Sequence, residues 1–339
     1  MSLPIIGITV LWLFLYAYIL IASIDFGAGF YVYYAKWRKK DSKMSMLINR
    51  YLSPIWEVAN VFLVCFYVGM IGFFPDVAYY YGTALLFPGS IALILLTLRS
   101  SFYIFGNGKF KKNRFYMLLY VLTGLLIPPV LTTALTTSEG GYLDKQGNTV
   151  MFLADKLATS FLSWGFAFLA VVSVLYISAS FLTYYASRAG EEESVDVLRK
   201  FALFWSVPSI VASVIVFWSM RTHNFDHFQH MIEPSIVWTF ALSFVCFLGA
   251  THFLYHRSRF GLAFIFVMFQ YFFAFFGYGA GHLPYILYPY ITIHSGVTNE
   301  LMSKALVIAF VLGLLLFITS IVLVLRLFLF DAKHVKNMK

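Results

Sequence analysis

Charge is what this sequence has least of. Only 12% of its 339 residues are Asp, Glu, Lys or Arg, where a water-soluble domain carries about 25%. A folded chain of this length in water needs a polar skin, and 24 basic with 15 acidic side chains cannot cover one. A water-soluble enzyme is therefore excluded. Cysteine is nearly absent as well: Cys65 and Cys246 both lie in apolar runs, which excludes a disulfide scaffold and a thiolate metal site. No glycine-rich phosphate loop, dinucleotide fingerprint or nucleophile motif is present.

What the chain has instead is apolar residues, 61% of the total, and aromatic ones, 20%. Nine segments approach the roughly 20 apolar residues that a bilayer span requires: 5–34, 53–74, 78–104, 115–137, 159–186, 201–220, 234–255, 260–280 and 303–330. The first lacks a basic leader and is too long for a signal peptide, so a retained span is expected. Without internal repeats, residues 1–339 read as a single polytopic membrane domain.

The basic residues alternate with the spans. Of 24, 20 fall in five stretches: Lys36–Arg50, Arg99–Arg114, Arg188–Lys200, Arg257–Arg259 and Arg326–Lys339. The intervening connections hold only Lys145, Lys156, Arg221 and Lys304. By the positive-inside rule this places the N-terminus outside and the C-terminus in the cytoplasm. The net charge of +9 is thus a topology signal, and no nucleic-acid partner is expected.

Thirteen of the 15 acids fall in connections or at span ends; Asp25 and Glu57 do not. A carboxylate at the centre of a span costs about 2.5–3.5 kcal/mol, so an acid there is a functional candidate by default. Asp25 precedes Lys36 by about 16 Å of helix and Glu57 follows Arg50 by about 10 Å, which puts both in the cytoplasmic half. Burial, and a second carboxylate nearby, raise a carboxyl pKa toward neutrality. The pair is accordingly a candidate proton entry path, against the plainer reading of neutral acids in helix contacts. Arg99, at the inner end of the third span, either pairs with such a carboxylate or snorkels to head groups.

Histidine is the remaining ligand type. His223, His227 and His230 have helical spacing beside Asp226 and Glu233, which suits a surface metal site, but nothing completes a recognised ligand pattern and no metal is assigned. His252 and His256 read as interfacial packing. His282, His294 and His334 stand apart in the sequence.

Three stretches carry a resemblance. Ser23-Ile24-Asp25-Phe26-Gly27-Ala28-Gly29 in the first span, Pro54-Ile55-Trp56-Glu57-Val58-Ala59-Asn60-Val61-Phe62 in the second and Leu98-Arg99-Ser100-Ser101-Phe102-Tyr103-Ile104-Phe105 in the third resemble the corresponding segments of cytochrome bd quinol oxidase subunit II. Asp25, Gly27, Gly29, Pro54, Trp56, Val61, Arg99 and Phe105 match the family pattern, and Glu57 keeps its acid. Ser23-Ile24, Val58-Ala59-Asn60 and Ile104 depart from it, as in a diverged branch.

The resemblance implies an all-α integral membrane protein of nine helices, arranged as two four-helix bundles plus one peripheral helix, in a bacterial or archaeal cytoplasmic membrane. It implies a respiratory enzyme subunit whose complex oxidises quinol, reduces dioxygen to water and generates a membrane potential. Haems b and d would belong to the partner, subunit I, with none ligated by this chain. Asp25 and Glu57 would supply cytoplasmic protons, supported by Trp56, Asn60 and Arg99. A small single-span accessory chain and a structural quinone also belong to this picture. The alternative from another class is a proton-coupled secondary transporter using the same acids; a third is a membrane scaffold whose acids are structural.

Overall fold

The computed structural model describes residues 2–37, 59–105, 114–146, 149–295 and 297–328. Among these the chain is helical, with two short hairpins. The long helices are α1 (Leu3–Trp37), α4 (Leu86–Phe105), α5 (Arg114–Ser138), α7 (Phe161–Ala189), α8 (Glu192–His223), α10 (Pro234–Tyr255), α11 (Phe260–His282) and α12 (Glu300–Phe328). Shorter ones are α2 (Ala59–Phe73), α3 (Pro75–Ala84), α6 (Ala154–Thr159) and α9 (Phe225–Met231). Strands β1 (Leu143–Gln146) and β2 (Thr149–Phe152) pair antiparallel, as do β3 (Tyr285–Leu287) and β4 (Ile291–Thr292).

Six of the described helices are individually long and apolar enough to cross a bilayer, or seven if the bent pair α3 and α4 is one span. That pair covers the segment 78–104 expected as a span, and the chain within it turns through 81° at Leu85. Pro88 supplies the reason. It has no N–H for the carbonyl four residues back, and its ring collides with that carbonyl, which belongs to Ala84, the last residue of α3. The acidic run Glu191–Glu193 stands at the start of the long helix α8. Glu192 and Glu193 form the first turn of α8, where the helix dipole favours negative charge. The preceding helix α7 stops at Gly190, which takes a left-handed φ of 73° at no steric cost.

Helix α1 is packed by α5, α7, α11 and α12, and α7 in turn by α5, α8 and α11. Leu20, Ile24, Ala28, Tyr31, Leu175 and Ile177 lie in the resulting core. Lipid is as apolar as this core, so the helices are held by packing and interhelical hydrogen bonds rather than by exclusion of water. Two such bonds are Tyr31 Oη donating to the Leu175 carbonyl at 2.7 Å and Ser178 Oγ donating to that of Ile24 at 3.0 Å.

The connections assigned to one side by their charge also meet in space. Phe73, Phe74, Val77, Leu143, Ile286, Leu287, Ile291 and Ile293 form one cluster. The Tyr288 amide donates to Ser138 at 2.9 Å and the Thr298 amide to Phe73 at 2.9 Å. At the other end the start of α8 meets the end of α10 and the connection that follows it: Arg257 pairs with Asp196 at 3.1 Å, and Arg199 donates to the carbonyls of Leu254 and Tyr255.

Candidate functional site

Two buried charge clusters stand out. The first joins α1, α4 and α5. Arg99 Nε donates to Asp25 Oδ2 at 2.9 Å, and Nη2 donates to the Asp25 carbonyl at 2.7 Å and to Tyr120 Oη at 3.1 Å. Nη1 donates to the Tyr120 carbonyl at 3.0 Å. The guanidinium also lies over the Tyr120 ring, 4.2 Å from its centroid, and near that of Phe26, at 5.2 Å. Within the chain Arg99 is 1% exposed and Asp25 3%, so Arg99 does not snorkel. The carboxylate neutralises a charge that carries three further hydrogen bonds and two ring contacts, and such satisfaction is what a buried ion pair needs to persist.

Gly124 makes the room. A Cβ there would sit 2.6 Å from Arg99 Nη1 and 2.7 Å from the Phe26 carbonyl. On the opposite side of α1, a Cβ on Gly27 would meet Ser178 Cβ at 2.5 Å, so glycine permits the approach of α1 to α7 that brings Ser178 to Ile24.

The second cluster lies at the end where α5, α9 and α11 converge. Glu139 follows α5 directly and is 1% exposed, and His227 of α9 is 3% exposed. His227 Nδ1 lies 2.9 Å from Glu139 Oε2 and 3.1 Å from Oε1, while its Nε2 is 3.1 Å from the Tyr278 carbonyl. His282, the last residue of α11, places Nδ1 3.4 Å from His227 Nδ1 and 3.7 Å from Glu139 Oε1. The Tyr278 hydroxyl donates to Oε1. Asn224 Nδ2 donates to Oε2 at 3.0 Å, and Asn224 Oδ1 caps α9 by accepting the His227 amide at 3.2 Å. Burial by itself pushes the Glu139 carboxyl up. The His227 hydrogen bond, the positive charge of both histidines and the Tyr278 hydroxyl outweigh it and hold the group below the usual carboxylate range.

Comparison with known proteins gives these clusters a context. The family model for cytochrome bd terminal oxidase subunit II matches residues 3–328. The chain belongs to that family. It is similar to a relative from Bacillus subtilis (strain 168) named cytochrome bd menaquinol oxidase subunit II, at 31% identity over 343 aligned residues, covering 98% of this chain and 97% of the relative. Among solved structures it is similar to a chain of the bd oxidase from Geobacillus thermodenitrificans, with a TM-score of 0.84 and 48% identity, covering 98% of this chain and 100% of that one. This subunit II is accordingly a multi-pass membrane component of a cytochrome bd quinol oxidase complex, an oxidoreductase, and its partner is subunit I.

Of the residues singled out in the sequence of this subunit II, Asp25 and Arg99 come together. Asn60 lies on α2, half-buried. Glu57 and Trp56 lie outside the described residues. The three spaced histidines separate. His223 stacks on Tyr142 and its Nε2 meets the Gly140 carbonyl at 3.0 Å. His230 is not in the buried cluster, and only His227 faces inward. His282, isolated in the sequence, is its neighbour, and Glu139, which reads as an ordinary span-end acid, is the carboxylate between them. Their common signal is weak: each stands just past or at the end of an apolar run, on connections that the charge alternation assigns to one side.

Proposed function

We propose that this chain is the haem-free half of a quinol-oxidising, dioxygen-reducing oxidase, and that it scaffolds subunit I and supplies it with cytoplasmic protons. The observation that carries this reading is the Asp25–Arg99 pair, a carboxylate kept inside the apolar part of a bd oxidase subunit II by one buried cation. Arg99 holds Oδ2, while Oδ1 stands outside that pair. In the proposed path Asp25 and Glu57 take up and pass protons on toward the dioxygen site, with Arg99 as the positioning residue and Trp56 and Asn60 in support. Protons consumed from the cytoplasm, with quinol protons released outside, generate a membrane potential without a pump. Nine spans in two four-helix bundles with a peripheral helix, and an outside N-terminus, complete the proposal. The transporter alternative is not favoured in a chain of this family.

Among the described residues, a haem does not fit between the two buried histidines, His227 and His282. The rings of His227 and His282 lie 4.9 Å apart, and Tyr278 stacks on His282 at 6.3 Å with an interplanar angle of 7°, leaving no space for a macrocycle between them. In the proposed oxidase the redox chemistry belongs to groups held by subunit I. The exposed apolar faces of α2 and α4 (Val64, Val68, Leu93, Ile94) and of α8 and α10 (Val207, Val214, Trp238, Val245) are the surfaces offered to that subunit and to lipid. The test is quinol-driven oxygen consumption by the purified two-subunit complex. Asp25→Asn is expected to slow turnover per haem-containing complex, and unchanged turnover removes Asp25 from the path.

A further inference from the structure

We propose that Glu139, His227 and His282 bind one divalent transition-metal ion, with zinc as the best match. One ligand atom from each side chain lies within 4.8 Å of the other two, and all three side chains are buried. A tetrahedral zinc ion with bonds of about 2.0–2.1 Å holds its ligand atoms about 3.3–3.4 Å apart. The two Nδ1 atoms are 3.4 Å apart, Glu139 Oε2 and Oε1 stand 2.9 and 3.1 Å from His227 Nδ1, and Oε1 stands 3.7 Å from His282 Nδ1. The separation between the histidines is longer than an ordinary hydrogen bond of about 2.9–3.0 Å, and it is the separation a shared ion requires.

The tautomers point the same way. The Tyr278 carbonyl can only accept, so Nε2 of His227 carries a hydrogen, and Nδ1 is the nitrogen that faces the Glu139 carboxylate, where a metal ion can take the place of the proton it shares with that group. Two acceptors 2.9 Å apart repel unless a proton or a metal lies between them. Nε2 of His282 is buried with no hydrogen-bond partner within 3.5 Å, while Nδ1 faces His227 and Glu139. Around the three ligands stands the outer shell that metal sites use to orient them: the Tyr278 hydroxyl on Oε1, Asn224 on Oε2 and the Tyr278 carbonyl on His227. Imidazole with carboxylate and no thiolate suits zinc among the common divalent ions. An ion here ties the end of α5, the short helix α9 and the end of α11 into one unit, so its role is to clamp the cap that these connections form.

The experiment uses the two-subunit complex purified with a tag that contains no histidine, incubated with zinc, freed of excess and assayed for zinc and iron by elemental mass spectrometry. About one zinc per complex is expected beside the haem iron, with an X-ray absorption edge fitted by nitrogen and oxygen ligands near 2.0 Å and no sulfur. Glu139→Gln and His282→Gln should each bring zinc down to background while the haem spectrum is kept, and His230→Gln, on the same short helix as His227 but outside the cluster, should retain it. Wild-type complex that takes up no zinc overturns the proposal, as does zinc that persists in both variants. If the variants fail to assemble, wild-type complex stripped by a chelator and reloaded decides: restored stoichiometry with the same edge supports the site, and a sulfur-containing edge or no uptake refutes it.

Discussion

Replacing Asp25 by Asn changes one atom and should weaken the complex far more than its size suggests. The amide oxygen still accepts from Arg99 Nε across the same 2.9 Å, so the geometry survives and the charge does not. At a charge separation near 4 Å and an effective dielectric of 20, the lost attraction is about 4 kcal/mol, in line with the roughly 3–5 kcal/mol measured when one partner of a buried pair is removed. The guanidinium cannot shed its proton, and at 1% exposure it has no water to turn to. Arg99→Gln likewise removes one partner of the buried pair, leaving the Asp25 carboxylate without its cation. The double variant Asp25→Asn/Arg99→Gln leaves two neutral amides and should be the least damaged of the three. The assay is the half-life of the haem absorption bands of the assembled complex at a fixed elevated temperature, a kinetic measure suited to a membrane complex that unfolds irreversibly. If about 1.4 kcal/mol of the loss is expressed on the unfolding barrier, Asp25→Asn shortens the half-life about tenfold, and the double variant returns most of it. A single variant as durable as wild type, or a double variant no better than Asp25→Asn, refutes the reasoning. Turnover per intact complex separates the proton role from this structural one, since restoring the half-life does not restore a carboxylate.

Two further outcomes are expected. Gly124→Ala forces a methyl to 2.6 Å from Arg99 Nη1 and 2.7 Å from the Phe26 carbonyl, so it should destabilise the complex by about 1–3 kcal/mol; Gly82→Ala, whose added Cβ meets nothing within 4 Å, should be neutral or slightly stabilising in the same heating assay. Glu57→Gln should slow quinol-driven oxygen consumption less than Asp25→Asn does, and a larger effect would reverse the order of the two acids in the proposed path.

The architecture was legible where it depends on composition and charge. The apolar runs coincide with the described helices, and the connections grouped by their lack of Lys and Arg are the ones that pack around Phe73, Leu143 and Ile286. The bend at Leu85 was written in Pro88 but masked by the unbroken hydrophobicity around it, because hydropathy does not register a missing N–H. For Arg99 the sequence left two destinations open, and its choice of Asp25 depends on Gly124 leaving space on a third helix. The Glu139 cluster could not be read at all from spacing. Its ligands are separated by 88 and 55 residues, and only the convergence of three helix ends brings them within reach.

The two clusters should be energetically independent, and the reason lies in α5. Tyr120, which receives the Arg99 guanidinium, and Glu139 stand on the same stretch of chain, 19 residues apart and so about 28 Å along the helix axis, close to the roughly 30 Å thickness of the hydrocarbon core. One cluster therefore sits near the end of the molecule opposite the other, with no shared partner. Substitutions more than about 7–10 Å apart add within about 0.3–0.5 kcal/mol. Combining Asp25→Asn with Glu139→Gln should give a loss of stability equal to the sum of the two single losses within that margin, and Glu139→Gln should leave the turnover defect of Asp25→Asn unchanged. A coupling above about 1 kcal/mol would mean that α5 transmits strain between the two ends, and the proton path and the metal site would then have to be treated as one device.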